Sequence, residues 1–294
     1  MKITCAILCY NYGRYLKQAI ESCLNQTSGS YEIEVIVIDD GSTDNTPIIC
    51  QEYINVIKSY RSVNEGFERT LTKAIEYATG DYICLLDADD YFVKDKIIRM
   101  LPYINLQYLF IKHGQYYMDT EGNLIKNGTI RGGNTSTLTI QREAALTLLP
   151  AENELFFHPL FDAGLGIELT DPLTYYRFHT SNMTNRKDPG VWYTYLAHMT
   201  INLTKILKKN KSNFFWTNEH KLDGIINTYE SLSYYNFMEA SVQLDNRYNA
   251  LKKGLCMLHY ALYSQRGITL WHLKVFVRCV LQMRTMKEYA SVNK

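Results

Sequence analysis

Gly80-Asp81-Tyr82-Ile83-Cys84-Leu85-Leu86-Asp87-Ala88-Asp89-Asp90 is the stretch around which the chain is organised. Residues 82–86 form a short apolar run between turn residues, the pattern of a strand buried on both faces. Three carboxylates follow within four positions. Residues two apart in an extended chain point to the same side, so Asp87 and Asp89 converge if strand geometry continues that far. Two such charges at the mouth of a dry sheet repel unless protons or a cation lie between them. A hard divalent ion, held by one or two carboxylates and the oxygens of a bound phosphate, resolves the conflict. A solvated Asp-rich loop at a strand end resolves it too.

Working outward, residues 3–9 read as a buried strand that turns at Tyr10-Asn11-Tyr12-Gly13. A helix follows, with Leu16, Ile20, Cys23 and Leu24 on one face. Residues 33–38 give a second strand, stopped by Asp39-Asp40-Gly41-Ser42-Thr43-Asp44, a run rich in turn and capping residues. A helix over 48–57 and a strand over 57–60 come next. Asn64-Glu65-Gly66 then opens a helix through Ala78, with Gly80 as its C-terminal cap. This alternation indicates a parallel sheet of βαβ units, in which ligands bind beyond the carboxyl ends of the strands. The Asn11, Asp39-Asp40 and Asp87 loops all leave that edge, where a nucleotide would lie.

Beyond residue 100 the pattern changes. Strands are expected over 108–113 and 115–118, with a hairpin turn at 119–123 before Leu124-Ile125. A Thr-rich strand over 135–140, preceded by Arg131-Gly132-Gly133, leads into a helix over 141–149 halted by Pro150. Residues 175–179 read as an aromatic strand, and the chain reads as mostly helical from Val191, with a polar connector at 208–213.

Composition bounds the function. The 294 residues are 46% hydrophobic and 21% charged, as expected of a packed globular protein. A formal net charge of +1 gives no footprint for nucleic acid. No apolar run is long enough to span a bilayer, and Met1-Lys2-Ile3-Thr4 leads directly into strand-like sequence without a signal peptide. Seven cysteines without a CxxC pair, several inside apolar strands, fit a reduced, cytoplasmic protein.

Five pieces, in order, resemble glycosyltransferase family 2 of the GT-A fold. They are Cys9-Tyr10-Asn11-Tyr12, then Val37-Ile38-Asp39-Asp40-Gly41-Ser42-Thr43-Asp44, then Asn64-Glu65-Gly66 through Gly80-Asp81-Tyr82-Ile83. Leu86-Asp87-Ala88-Asp89-Asp90 and Tyr176-Arg177-Phe178-His179-Thr180-Ser181-Asn182-Met183-Thr184 complete the set. The resemblance covers roughly residues 1–185 and implies an α/β fold, a Rossmann-like, mostly parallel sheet flanked by helices, with a mostly helical C-terminal region. It implies a catalytic domain over 1–188, divided into a nucleotide-binding half (1–100) and an acceptor and metal half (101–188), followed by helices over 189–294.

It also implies roles. Asp40 accepts from the base N–H, with Asp39 and the Asn11 loop shaping that pocket; the alternative is that Asp39-Asp40 merely caps the next helix. Asp87 contacts the ribose or the metal, Asp89 binds the metal, and His179 is a further metal or diphosphate ligand, the ion being Mn²⁺ or Mg²⁺. The family's general base lies between the acidic loop and the histidine segment; by spacing from Asp171-Pro172-Leu173, Glu154 is best placed, with Glu152 and Asp162 competing. Where many relatives carry an Arg-Asn pair this chain has Leu71 and Thr72. Arg69 lies nearby, either serving the diphosphate or standing as a solvated helix residue.

The implied enzyme is an inverting, metal-dependent glycosyltransferase moving a sugar from a nucleotide-sugar, most readily a UDP-sugar, to a glycan or lipid-linked acceptor in surface polysaccharide synthesis. A catalytically degenerate member that binds nucleotide or a partner without turnover is the alternative. In the C-terminal helix Leu270, Leu273, Phe276, Val277, Val280 and Leu281 share one side, and His272, Lys274, Arg278 and Gln282 lie mostly on the other. Such a helix packs on the catalytic domain or a second subunit, or it lies on the inner face of a membrane as a peripheral contact. The aromatic residues between Val191 and Tyr263 line an acceptor groove or belong to the core.

Overall fold

The computed structural model describes residues 1–130, 133–179, 188–244 and 246–282, with the backbone alone for 126–130, 247 and 280–282. The chain divides into two compact units, Met1–Ser181 and Asn182–Lys294.

The first unit is built on a nine-stranded mixed sheet. Strands β1 (Lys2–Cys9), β2 (Glu32–Asp39), β3 (Lys58–Arg61) and β4 (Tyr82–Asp87) are parallel, in the spatial order β3-β2-β1-β4. The sheet continues through β8 (Leu138–Gln141), β6 (Phe110–Met118), β9 (Gly166–Arg177) and β5 (Tyr91–Phe92), with β7 (Leu124–Ile130) on β6. Here the pairing is antiparallel apart from β6 with β9. Strand order therefore reverses direction beside β1, placing the loops after β1 and β4 at a switch point.

Helix α1 (Gly13–Leu24) buries Leu16, Ala19, Ile20 and Cys23, one face at helical spacing. That face joins Ile3, Cys5, Ile7 and Cys9 of β1 and Ile97, Met100 and Ile104 of α4 (Lys96–Asn105) in one core. Each fully buried Leu or Ile contributes about 1.5–3 kcal/mol. By the two-residue period of a strand, Ala6 and Leu8 point to the opposite face. There α3 (Phe67–Tyr77) packs on β1 and β2 and buries Leu71, Ala74 and Ile75. Helix α2 (Thr46–Glu52) follows β2 and stops five residues before the predicted end, the chain turning ahead of β3. Short helices α5 (Arg142–Thr147) and α6 (His158–Leu160) complete the unit. All seven cysteines are free thiols.

Three local expectations need correction. Gly80 does not cap α3; Ala78 does. Gly80 is instead required by close approach, because a Cβ there would lie 2.7 Å from both the amide nitrogen and the hydroxyl of Thr4. The Thr-rich stretch forms a 3-10 turn at Thr135–Thr137 before β8, a turn that turns the Ser136 side chain toward the site. Strand β9 begins at Gly166, well ahead of the predicted aromatic stretch, and ends at Arg177. Its course through Pro172 depends on Gly114 of β6, opposite Pro172 at a register shift, where a Cβ would sit 2.9 Å from the Thr170 carbonyl.

The second unit holds α7 (Pro189–Lys209), α8 (Glu219–Gln243), α9 (Arg247–Leu262) and α10 (Leu270–Gln282). Asp188, Asn218 and Asn246 cap the first three through their side chains. The aromatic residues here pack on one another, as in Tyr193 with Tyr235, Tyr234 with Tyr260 and Tyr235 with Trp271. Helix α10 turns Val275 and Cys279 into the core and sets Phe276 on Gly254, leaving Leu270, Leu273 and Val277 exposed. The apolar side expected from the sequence is thus split: Leu270, Leu273 and Val277 lie outward, while Phe276 takes the inner seat that the small Gly254 opens. The side chains of Val280, Leu281 and Gln282 lie outside the described residues. Among the described residues no helix is long and apolar enough to cross a membrane.

Candidate active site

The loops after β1 and β2 are hydrogen-bonded into one rim. Asn11 adopts a left-handed backbone (φ 58°), a conformation asparagine tolerates better than most residues. Its N–H donates to Ser42 Oγ at 2.9 Å, and its Oδ1 accepts from the Thr43 amide at 2.7 Å. Asp39 is buried: Oδ1 accepts from the Ser42 amide, and Oδ2 lies 3.3 Å from Arg61 Nε. Asp40 reaches the β3–α3 loop instead. Its two oxygens accept from the Glu65 and Gly66 amides at 2.8 and 2.9 Å, so a single carboxylate fixes the start of α3. Neither Asp39 nor Asp40 caps the helix immediately following, which has no side-chain cap.

The acidic loop after β4 is the electrostatic centre. The Asp87 amide donates to Ser136 Oγ (3.0 Å), and the Ser136 hydroxyl donates to Asp90 Oδ2 (2.6 Å). The other Asp90 oxygen accepts from the Arg177 amide at 2.8 Å. Burial, then Asp89, then Glu154 hold the Asp87 carboxyl well above the ordinary carboxylate range. Burial, Asp89 and Asp87 do the same to Asp90. The like-charge conflict anticipated from sequence is therefore present, and it includes Asp90. Asp89 pairs with His179, its Oδ2 2.8 Å from His179 Nε2, with both side chains nearly buried. Tyr12 and Tyr15 flank the His179 ring, at centroid distances of 5.6 and 6.4 Å.

Arg177 ties this loop to its surroundings. Its Nε donates to the Asp89 carbonyl, Nη1 to the carbonyls of Asp119 and Thr120, and Nη2 to Gln18 Oε1. Its guanidinium also lies 4.3 Å from the centre of the Tyr15 ring. Beneath the loop, Lys96 is fully buried, 2.8 Å from His113 Nε2, 3.4 Å from the Ser136 carbonyl and 3.6 Å from the Phe92 ring centre. Burial pushes its ammonium down to about 8, and burial together with Lys96 keeps His113 neutral. His113 Nδ1 faces the Gly114 carbonyl at 2.8 Å, the tautomer in which Nε2 accepts from Lys96.

Glu154 opens a 3-10 turn, Glu154–Phe157, capped by Asn153, and its charge reaches Asp87. Glu152 precedes that turn, and Asp162 lies in the irregular turn before β9. Arg69 sits half exposed on α3, 4.0 Å from Glu65 and 3.4 Å from Glu76. Arg131 and residues 180–184 lie outside the described residues. Among the described residues no group of three or more His, Cys, Asp or Glu is arranged to hold a metal. Asp89 with His179 offers two ligands side by side, enough for an ion that takes its remaining oxygens from phosphate and water. Sequence reasoning assigned no role to Ser136, Lys96, His113 or Asp90. Serine inside a threonine run and lysine at a helix start carry no distinctive signal.

Residues 4–161, more than half of the chain, match the family model for glycosyl transferase family 2. An uncharacterized glycosyltransferase of Haemophilus influenzae is 42% identical over 123 residues, 40% of this chain and 48% of that one. An uncharacterized glycosyltransferase of Nostoc sp. is 30% identical over 217 residues, 72% of this chain and 62% of that one. The matched segments thus span about half to three-fifths of these relatives. Among solved structures, TarS 1-349 of S. aureus in complex with UDP-GlcNAc superposes with a TM-score of 0.63 at 16% identity, covering 99% of this chain and 92% of that one. At that identity the likeness is one of fold.

Proposed function

The chain belongs to glycosyl transferase family 2, and on that footing we propose that it is an inverting transferase using a nucleotide-sugar donor, a UDP-sugar. The acceptor is a hydroxyl of a glycan or lipid-linked saccharide in surface polysaccharide synthesis. A lipid-linked acceptor lies at a membrane face, so peripheral membrane contact belongs to this reading. Catalysis is assigned to residues 1–188, with the nucleotide held by 1–100. TarS, solved with UDP-GlcNAc, supports the donor class.

One observation carries the reading: the acidic loop after β4, where Asp89 meets His179 and Asp90 meets Ser136 and the Arg177 amide, lies at the carboxyl ends of the parallel strands. The charge of Glu154 also acts on Asp87 there, which suits Glu154 to proton abstraction beside a loop suited to a diphosphate. Each Asp40 oxygen keeps a lone pair beyond those taken by the Glu65 and Gly66 amides, sufficient to accept a uracil N–H. Asp39 and Asn11 hold that pocket in shape, and Asp87 takes the ribose. Arg69, shared with Glu65 and Glu76, is assigned to the diphosphate. Glu154 accepts the acceptor's hydroxyl proton while that oxygen attacks the anomeric carbon. The bond from that carbon to the diphosphate breaks, and its electron pair leaves with the nucleoside diphosphate. Asp89 and His179 would hold a Mn²⁺ or Mg²⁺ ion, which would supply charge neutralisation for the departing diphosphate.

The test is hydrolysis and transfer with a panel of nucleotide sugars, with Mn²⁺, Mg²⁺ or EDTA. Metal-dependent release of one nucleoside diphosphate is expected, abolished by Asp89→Ala. Glu154→Gln should lose about 10²–10⁴-fold in transfer while keeping donor affinity. Full metal-dependent turnover by Asp89→Ala refutes the site. An equal loss in Glu152→Gln or Asp162→Asn, with Glu154→Gln active, moves the base. No release and no thermal stabilisation by nucleotide plus metal points to a degenerate, non-catalytic member.

A further inference from the structure

The near-neutral total charge of this chain conceals a sharp division. Up to residue 245 there are 22 Lys and Arg against 29 Asp and Glu; after it there are 9 against 1. Between Asp245 and Glu288 there are eight Lys and Arg and no acidic residue. That segment contains α9 and α10.

Both helices are apolar on the side facing away from their core. Ala250, Gly254, Met257 and Ala261 of α9 are buried, which sets the direction of the core. The opposite arc carries Tyr248, Leu251, Leu255 and Leu262, between 40% and 80% exposed. Lys252 and His259 stand exposed among them. On α10 the arc opposite Val275 and Cys279 carries Leu270, Leu273 and Val277 around the exposed Lys274. Trp271, half exposed, lies at its flank. An ordinary solvated helix face is polar. The carboxylate met by α10 on α8 is Glu239, which is buried and already paired with Arg278. Among the described residues no carboxylate pairs with the exposed Lys252, Arg266 or Lys274.

We infer that these outer arcs of α9 and α10 dock on the surface of an anionic phospholipid bilayer. The Leu and Val side chains enter the boundary between headgroups and acyl chains, Tyr and Trp take the interface, and the lysines meet lipid phosphates. A second copy of this chain fits poorly, because two such faces would bring like charges together. The inference deepens the peripheral membrane contact in the proposed function but is argued from the second unit, so hydrolysis of the soluble donor tests the catalytic reading separately.

The test is vesicle flotation of the full chain with phosphatidylcholine alone and with about 30% phosphatidylglycerol. Binding is expected to the anionic vesicles only, weakening as salt rises from about 0.1 M to about 1 M. Replacing Lys252 and Lys274 together by Gln should lower partitioning about 25-fold at low salt. Leu255→Ser and Leu273→Ser should each lower it about tenfold. None of these residues belongs to the catalytic assignment, so hydrolysis of the soluble donor and the circular dichroism spectrum should match the unaltered protein. Equal binding to neutral vesicles, no binding, or binding that the four replacements leave unchanged overturns the inference. Lipid-free self-association that Leu255→Ser abolishes overturns it as well, assigning the face to a second copy.

Discussion

Replacing Arg177 by Lys tests whether the acidic loop is held by the shape of the guanidinium or by its charge. Arg177 is 3% exposed and its side chain donates to three backbone carbonyls and to Gln18 among the described residues. Those carbonyls belong to Asp89 in the loop after β4 and to Asp119 and Thr120 in the β6–β7 turn. Lysine keeps the charge but places its three donors on one atom, so it can reach one of these clusters and not the others. Losing two or three charge-assisted hydrogen bonds, with the carbonyls left buried, costs about 3–5 kcal/mol. Differential scanning fluorimetry should show a fall in Tm of about 10 °C. Hydrogen exchange resolved by peptide mass should accelerate about 10²–10³-fold in β4, β5 and the end of β9. The second unit should exchange at its original rate. If Arg177→Lys melts within a degree or two of the parent and exchange in β4 is unchanged, the fork geometry is not what holds the loop.

Two more outcomes follow from buried polar groups. Glu34 is nearly buried where the strands begin; burial alone would raise its pKa, but hydrogen bonds from Lys58, Thr4 and Thr79 outweigh burial and hold it at about 2. A carboxylate depressed by folding stabilises above its unfolded pKa and loses that contribution as pH falls through the folded value. Urea unfolding should therefore show Glu34→Gln about 2–3 kcal/mol less stable at pH 7. The gap should close between about pH 4.5 and pH 2; a constant gap would refute the assignment. Ser136→Ala leaves the Asp87 amide and an Asp90 oxygen unpaired in the interior. The expected cost is about 2–4 kcal/mol, read by urea unfolding. Ser136→Thr, which keeps the hydroxyl, should recover part of it.

The parallel half of the sheet was legible because its signals are local. Apolar runs of strand length, ended by Asn11, by Asp39-Asp40 and by Asp87-Ala88-Asp89-Asp90, mark strand, turn and rim within a few residues of one another. The antiparallel half was read less well. The residues 166–174 lack alternation, contain a proline, and become a strand because β6 offers Gly114 where the chains cross. On α10 the periodicity is visible in the sequence, but the direction of burial is not, since it depends on the groove presented by Gly254.

The sequence by itself determined the strand–helix alternation, the acidic rim and the resemblance of five ordered pieces to one family, because each is written in neighbouring residues. The tertiary structure alone decided which distant groups meet: Asp89 with His179, Ser136 beneath Asp87 and Asp90, Arg177 across three segments, and Lys96 against His113. Their pairing reflects burial, which makes an unpartnered charge or amide costly and so selects contacts separated by 17 to 159 positions in the chain. No local pattern records such a choice.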